Sequence, residues 1–257
     1  VNRGYQKGVL DKDSLLVNVT SSCGPLIYRG DQYPEEFQQN AFVCVPEANL
    51  IKRNILSFDG KKIWATQATP NKEFLASTDE GFRPVNLFNG PDGNMYIVDM
   101  HRGIIQDKAY LSPYLKNKMA VKKMDTIKGM GRILRVSYNN KALGSNPNFN
   151  DLSHEKLVDL LRSENGWIRD RAQQVIIAKN LQSSVSLLET LAFDKSNVLA
   201  QIHALHTLNG LNALTFEFLE KLVDKVENEA SILAHALVLM EDFATEDYIS
   251  SMKSMAV

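Results

Sequence analysis

The stretch FRPVNLFNGPDGNMYIVDM, residues 82–100, decides the fold predicted for the first half of the chain. Two short apolar runs flank a Pro-Asp-Gly turn at Pro91 to Gly93. Runs rich in Val, Ile, Leu, Phe and Tyr favour β-strands, and a Gly-containing turn between two such runs is typical of a hairpin. We therefore predict two antiparallel strands here.

The same pattern recurs on both sides of this hairpin. Further strands are predicted at residues 23–30, 40–45 and 49–56, after the Asp59-Gly60 turn, and at residues 131–137. Short strands about ten residues apart, with turn residues between them, indicate an antiparallel all-β array. Radially stacked four-stranded sheets would cover such strands on both faces, so we predict about two blades of a β-propeller.

A long connection, residues 101–130, interrupts the predicted second blade. Its apolar spacing and Pro113 indicate a short helix with proline in the first turn. Long connections inside a compact domain are often functional.

The second half predicts a helical repeat. The segments WIRDRAQQVIIAKN, LAQIHALHTLNG and SILAHALVLMED align without gaps and place Ala172, Ala204 and Ala236 at intervals of 32 residues. A second helix is predicted before each segment, the first of them capped by Ser153. Helix pairs at a fixed period indicate an all-α, HEAT-like solenoid of about three pairs. An irregular helical bundle is the alternative.

Composition divides the chain at the same place. All 8 prolines and 12 of the 14 glycines precede residue 151. The first part carries 20 Lys/Arg and 14 Asp/Glu, a net charge of +6, whereas the second carries 9 and 16, a net charge of −7. We predict propeller blades over residues 1–138, a linker over 139–151 and the solenoid over 152–257.

Charge and hydropathy exclude some classes of protein. The whole chain has 29 Lys/Arg against 30 Asp/Glu, which disfavours binding to nucleic acid through bulk charge. No apolar run of about 18 residues occurs, so we predict no membrane span. The chain begins VNRGYQKGVL, without Met or a signal-peptide pattern, and we expect it to be a piece of a longer polypeptide.

Asp99, His101 and Arg102, in the segment DMHRG, are the first candidate site residues. Residues two apart on a strand face the same side, which would bring Asp99 beside His101. That pair predicts a general base or a charge relay. A polar strand end without chemistry is the alternative.

His203 and His235 share one register of the helical repeat, and His206 lies three residues after His203. No carboxylate completes a metal site beside them, so we interpret them as structural and predict no metal. The chain also has no CxxCH, Walker, GxSxG, HExxH or EF-hand pattern.

Cys23 and Cys44 lie on adjacent predicted strands, and we expect them within bonding range. A disulfide between them would stabilise the fold by roughly 3 kcal/mol and would indicate an oxidising compartment. Two buried free thiols are the alternative.

Four strings of the sequence together resemble a known family. They are SSCGPLIYRGDQYPEEFQQNAFVCVPEANLIKRNIL, EFLASTDEGFRPVNLFNGPDGNMYIVDMHRG, AYLSPYL and GRILRV. They resemble the membrane-bound dehydrogenase family of large bacterial proteins, in which a quinoprotein-like β-propeller precedes HEAT repeats and often a c-type cytochrome domain. The resemblance extends more distantly to the soluble glucose and aldose sugar dehydrogenases, which use pyrroloquinoline quinone (PQQ) and calcium.

The resemblance implies a cofactor-binding role for Arg83. This residue matches an arginine that faces the quinone, where a guanidinium pairs with a cofactor carboxylate or stabilises the reduced quinone. Gly81 stands where some relatives carry a second arginine, and the region of Pro46 and Glu47 replaces a lysine. The catalytic histidine and the calcium ligands would lie in earlier blades, so this segment alone is expected to be inactive.

The resemblance also implies a function for the whole protein. It would be an exported bacterial protein, periplasmic, secreted or in the cell envelope, that oxidises a sugar or an alcohol. It would pass electrons to a cytochrome c domain or partner, with haem c outside this segment and the rest of the propeller beside it. The alternative is a non-catalytic scaffold that binds a protein or a carbohydrate.

Overall fold

The computed structural model describes Lys12 and residues 21–107, 109, 111–139, 141–225 and 229–243. It divides into two compact units, Val1–Ser145 and Asn146–Val257. The boundary between the units falls inside segment 139–151. Most of the first 20 residues and the end of the predicted solenoid lie outside the described residues.

The first unit contains a five-stranded antiparallel sheet. Its strands are β1 (Cys23–Ile27), β2 (Ala41–Val45), β3 (Leu50–Phe58), β4 (Ile63–Gln67) and β5 (Leu75–Ala76). The order is β1-β2-β3-β4, and β5 pairs with the first residues of β3. Four of these strands lie where the apolar runs predict them, whereas β5 is too short to leave a pattern in the sequence.

A second, three-stranded sheet follows in the order β6-β7-β8. Its strands are β6 (Pro84–Asn89), β7 (Met95–Asp99) and β8 (Arg132–Val136). Helix α1 (Pro113–Val121) lies in the connection between β7 and β8, with Pro113 in its first turn and the Ser112 hydroxyl accepting a hydrogen bond from the Leu115 N–H. The helix predicted in this connection is confirmed.

The predicted fold class is wrong. The described residues of the first unit form two separate open sheets, of five and three strands, that close into no propeller ring. Seven helices in the described part of the chain make the protein mixed α/β, not all-β blades followed by an all-α solenoid. Alternating apolar runs and turns specify which neighbouring strands pair, but they do not specify how complete sheets are arranged.

Two buried tyrosines join the sheets of the first unit. The rings of Tyr28 and Tyr33 stack with their centroids 4.4 Å apart. The Tyr28 hydroxyl donates to the Gly93 carbonyl at 2.7 Å, and the Tyr33 hydroxyl donates to the Val136 carbonyl at 2.6 Å. A Cβ on Gly30 would lie 2.1 Å from the Gly93 oxygen, so this close approach requires glycine. Several residues of the family resemblance therefore have a structural role.

The second unit is helical. Its helices are α2 (His154–Asp159), α3 (Gly166–Ala178), α4 (Val185–Ala192), α5 (Val198–Gly210), α6 (Phe216–Lys225) and α7 (Ala230–Met240). Helix α5 packs against both α3 and α7. Ala172, Ala204 and Ala236 are fully buried, one on each of these three helices. The 32-residue spacing in the sequence therefore corresponds to small side chains in the core.

Candidate functional site

The candidate site residues predicted from the sequence gather at one end of the second sheet. Arg83 precedes β6, Asp99 ends β7, and Arg132 begins β8 directly opposite Asp99. His101 follows in the loop after β7. We call Asp79, Asp99, His101 and Arg132 the acid–histidine cluster.

Arg83 is fully buried behind this cluster. Its Nε donates to the Arg102 carbonyl at 3.0 Å, its Nη1 to the Pro46 carbonyl at 2.7 Å, and its Nη2 to the Gly103 carbonyl at 2.7 Å. The guanidinium thus ties the start of β6 to the turn after β2 and to the loop after β7. Burial, the largest influence, holds the pKa of Arg83 below its usual value.

The surroundings of Arg83 do not fit the quinone contact that the resemblance implies. Every guanidinium nitrogen of Arg83 already donates to a backbone carbonyl, Nη1 to two of them, and the side chain is fully buried, so the guanidinium is not open to a two-bond contact with a carboxylate of PQQ. In the described part of the chain, no group of three or more His, Cys, Asp or Glu side chains is placed to hold a metal ion such as calcium. The geometry gives no support to the predicted cofactor-binding role of Arg83.

Asp99 is buried and heavily hydrogen bonded. Its Oδ1 accepts from the Arg83 N–H at 2.7 Å and from the His101 N–H at 2.9 Å, and its Oδ2 accepts from Arg132 Nε at 2.8 Å. Burial alone would raise the pKa of Asp99, but these three hydrogen bonds outweigh burial and hold the pKa below its usual value. The ionised carboxylate therefore fixes the end of the β6–β7 pair at which β6 begins and β7 ends.

His101 lies beside Asp99, as the sequence predicts, but on a turn and not on a strand. Its φ of +42° is in the left-handed region. Its Nδ1 is 3.5 Å from Asp99 Oδ2 and 3.8 Å from Asp79 Oδ2, and it has no hydrogen-bond partner although it is buried. The side chain is 14% exposed, and this exposed surface belongs to atoms other than Nδ1. Two carboxylates therefore face Nδ1.

Arg102 does not join the cluster through its side chain. It is exposed, and its Nε donates to the Ile104 carbonyl at 3.1 Å. The sequence analysis did not identify Asp79 and Arg132 as site residues. In the structure Arg132 Nη2 lies 3.4 Å from Asp79 Oδ2. Arg132 begins a predicted strand, and its pairing with Asp99 became visible only with the strand register.

The β3–β4 hairpin differs from the buried end of the second sheet because its side chains are exposed. All residues from 58 to 67 are exposed. Phe58 and Ile63, which lie directly opposite each other, are 69% and 70% exposed, and Trp64 is 46% exposed. One edge of β4 pairs with β3, and the other edge pairs with no strand that the structure describes. Sequence analysis located the strand, but apolar residues alone do not indicate an exposed one.

A cleft of about 300 Å³ lies beside the end of β4. It is lined by Phe37, Arg53, Ala68, Thr69, Lys72, Glu73 and Phe74. The Arg53 guanidinium carbon lies 3.8 Å from the centroid of the Phe37 ring, and Arg53 Nε donates to Asn40 Oδ1 at 2.7 Å. Glu73 pairs with Lys52 at 2.7 Å. The cleft therefore combines aromatic walls with Lys72, with Arg53, which also pairs with Glu36 at 3.5 Å, and with the carboxylate of Glu73.

The histidines of the second unit connect neighbouring helices. His203 Nδ1 lies 2.7 Å from Gln173 Oε1, joining α5 to α3, and His206 Nε2 lies 3.0 Å from His235 Nδ1, joining α5 to α7. Burial first, and then the neighbouring His235, hold the pKa of His206 below its usual value. These contacts agree with a structural role for the repeat-register histidines.

One protein family matches most of the first unit in sequence. Residues 6–140 match the model of a family described as Domain of unknown function (DUF7133), which is more than half of the chain. The chain belongs to this family. The DUF7133 match includes the acid–histidine cluster and the β3–β4 hairpin, and it ends before the helical unit. Neither the curated proteins nor the solved structures gave a match.

None of the helices in the described ranges is both long and apolar enough to cross a membrane.

Proposed function

We propose that this DUF7133 chain is a non-catalytic binding module that holds an extended, acidic segment of a protein partner on the β3–β4 hairpin. The exposure of every residue from 58 to 67 is the observation that carries the proposal. Large exposed apolar patches in proteins commonly mark interaction sites. A partner that covered Phe58, Ile63 and Trp64 would remove their apolar surface from water.

The free edge of β4 supports strand addition as the binding mode. An edge strand offers unpaired N–H and C=O groups, and an extended peptide can pair with them while its side chains contact both faces. Edge strands are usually protected by proline, lysine or a bulge. β4 contains no proline or lysine, and its pairing with β3 runs without a bulge from Phe58↔Ile63 to Asn54↔Gln67.

Charge supports an acidic partner. The first unit has a net charge of +6. Lys61 and Lys62 lie in the loop of the hairpin, where the Asp59 carboxylate accepts from both backbone N–H groups at 2.9 Å. The cleft beside β4 adds Arg53 and Lys72 next to aromatic rings. A carboxylate of the partner would be attracted to this cleft while its strand lies along β4.

The region predicted to bind a cofactor supports a non-catalytic role. Arg83 donates to backbone carbonyls and Asp99 accepts from backbone N–H groups, so both side chains hold the chain together. These side chains therefore stabilise the fold.

A labelled synthetic peptide that alternates Glu with Val tests the proposal, with the full chain and fluorescence anisotropy. The same peptide with Lys in place of Glu is the control. We expect the acidic peptide to bind at least about tenfold more tightly, because both the charge and the strand pairing favour it. Equal binding of the two peptides, or binding of neither, would contradict the proposal.

Two variants at equally exposed isoleucines test where the acidic peptide binds. Ile63 and Ile133 are each 70% exposed, but they lie on β4 and on β8 of the other sheet. Ile63→Ser should weaken the acidic peptide about tenfold through lost apolar contact, and Ile133→Ser should leave binding unchanged. Equal effects of the two variants would place the surface elsewhere.

A second function is favoured by the buried, unpartnered Nδ1 of His101 between two carboxylates. In this alternative the chain is part of an exported, periplasmic or cell-envelope bacterial protein that oxidises a sugar or an alcohol and passes electrons to a cytochrome c. His101 Nε2 would accept the hydroxyl proton of the substrate while Asp99 and Asp79 orient the ring.

Dye reduction by the full-length protein, supplied with PQQ, Ca²⁺ and a panel of sugars and alcohols, tests the second function. We expect His101→Gln to lower kcat by roughly 100-fold with little change in KM, since general-base catalysis contributes about that much. No dye reduction by the unaltered protein, or an unchanged kcat in His101→Gln, would remove this alternative.

A further inference from the structure

Cys23 and Cys44 are directly opposite each other on neighbouring antiparallel strands. Cys23 is the first residue of β1, and its partner in the register is Cys44 of β2. Opposite residues in an antiparallel pair point to the same face, with Cα atoms about 4.5–5.5 Å apart. Disulfides span Cα separations of about 4.4–6.8 Å. The register therefore provides the geometry that the sequence left open.

Burial places both thiols in one apolar environment. Cys44 is fully buried in the core of the first unit, and Cys23 is partly buried and packs against the same core. Both are free thiols in this structure. Burial raises the pKa of Cys44 to about 12, and burial also raises the pKa of Cys23. Little thiolate is therefore present in the folded chain at neutral pH, which protects the pair from oxidants in solution.

We infer that Cys23 and Cys44 form a cross-strand disulfide when the chain folds in the presence of a small-molecule disulfide such as oxidised glutathione. The Cys23 thiolate attacks the small disulfide, forms a mixed disulfide and releases one small thiol. The Cys44 thiolate then attacks the Cys23 sulfur and releases the second. Two cysteine thiols are oxidised, one small disulfide is reduced to two thiols, and the two protons pass to the departing thiolates.

The bond would link the irregular part of β1 to β2. The pairing of β1 with β2 is irregular between Cys23 and Leu26, so the first residues of β1 have fewer regular ladder contacts. Gly24 in this stretch has a φ of +53°, and a Cβ there would lie 2.5 Å from Asn86 Cα of β6. The start of β1 therefore lies where the two sheets meet, and a disulfide would hold it against β2 at that junction.

Refolding the full chain with oxidised glutathione, followed by intact-mass measurement and thiol counting, tests the inference. We expect a monomer that has lost both thiols, carries no glutathione and regains both thiols with a reductant. Its thermal midpoint should be several degrees above that of the reduced chain. Oxidation should be faster during refolding than in the folded chain, because folding buries both thiols. Retention of both thiols, two mixed disulfides or covalent dimers would each overturn the inference.

The double variant Ser22→Cys, Cys23→Ser is the matched control. It keeps two thiols but moves one of them to the exposed position 22, which precedes β1 and has no register partner opposite Cys44. We expect this variant to give a glutathione adduct or a dimer and no internal bond. The same internal bond in the control would mean that flexibility of this segment, and not its register, brings the thiols together.

Discussion

Two regions of the first unit differ in burial and in hydrogen bonding. One is the end of the second sheet around Arg83 and Asp99, and the other is the β3–β4 hairpin. At the end of the second sheet, Arg83 and Asp99 are buried and hydrogen bonded to backbone groups. On the β3–β4 hairpin, Phe58 and Ile63 are exposed and β4 has an edge with no partner strand among the described residues. Residue types associated with chemistry can therefore be structural, while a strand without any such residue carries exposed apolar surface.

Arg83→Met gives the largest expected effect. Removing the guanidinium leaves the carbonyls of Pro46, Arg102 and Gly103 without their donor in a buried site, which should lower the free energy of unfolding by about 3–5 kcal/mol. Urea unfolding of the full chain, followed by a probe in the first unit, measures it. A loss below about 1 kcal/mol would mean that this end of the sheet is as open as the hairpin.

Asp99→Asn should cost about 2–3 kcal/mol at pH 7, because the charged acceptor of three hydrogen bonds is lost. The pKa of Asp99 is lowered in the folded chain, so its stabilisation is complete above the unfolded pKa and is lost as the pH falls through the folded pKa. Unfolding curves measured from pH 7 to pH 2 should therefore fall less steeply in Asp99→Asn than in the unaltered chain. Parallel curves would indicate that Asp99 contributes nothing to acid sensitivity.

Substitutions of His101 should change the free energy of unfolding through the backbone conformation more than through loss of the imidazole ring. The position has a φ of +42°, which asparagine tolerates and a β-branched residue does not. His101→Val should lower the free energy of unfolding by about 1–2 kcal/mol, and His101→Asn should change it by less than about 0.5 kcal/mol. Equal losses in the two variants would mean that contacts of the imidazole, and not the turn, hold this loop.

The combined variant Phe58→Ser, Ile63→Ser should have the smallest effect on stability. Both side chains are more than two-thirds exposed, so the free energy of unfolding should change by less than about 0.5 kcal/mol. Solubility should increase, because an apolar pair beside an edge strand is removed. A loss above about 1.5 kcal/mol would show that the hairpin is packed in solution, and the contrast between the two regions would fail.

Local structure was predictable where short-range physics decides it. Apolar runs and the turns at Asp59-Gly60 and Pro91 to Gly93 located the strands, and Pro113 located α1. The 32-residue spacing located the buried alanines of three helices. The arrangement of whole sheets was not predictable in this way, because strand patterns describe only neighbouring pairs.

The candidate site was predictable in part. The spacing of Asp99 and His101 correctly indicated that they lie together, but a turn and not a strand brings them there. The role of Arg83 could not be read from the sequence, because its partners are backbone carbonyls of segments up to 37 residues away. The exposure of β4 could not be predicted from the sequence either, since an apolar strand has the same sequence whether or not another element covers it.

Hydrogen–deuterium exchange of the full chain, with and without the acidic peptide, shows which of the two regions of the first unit takes up a partner. Before the peptide is added, the N–H groups of Arg83 and His101 should exchange slowly because Asp99 accepts from both, and those on the free edge of β4 should exchange fast. The account predicts that the peptide slows exchange over residues 63–67 and leaves the Arg83 end unchanged. Slower exchange at the Arg83 and His101 end, with none at β4, would contradict it.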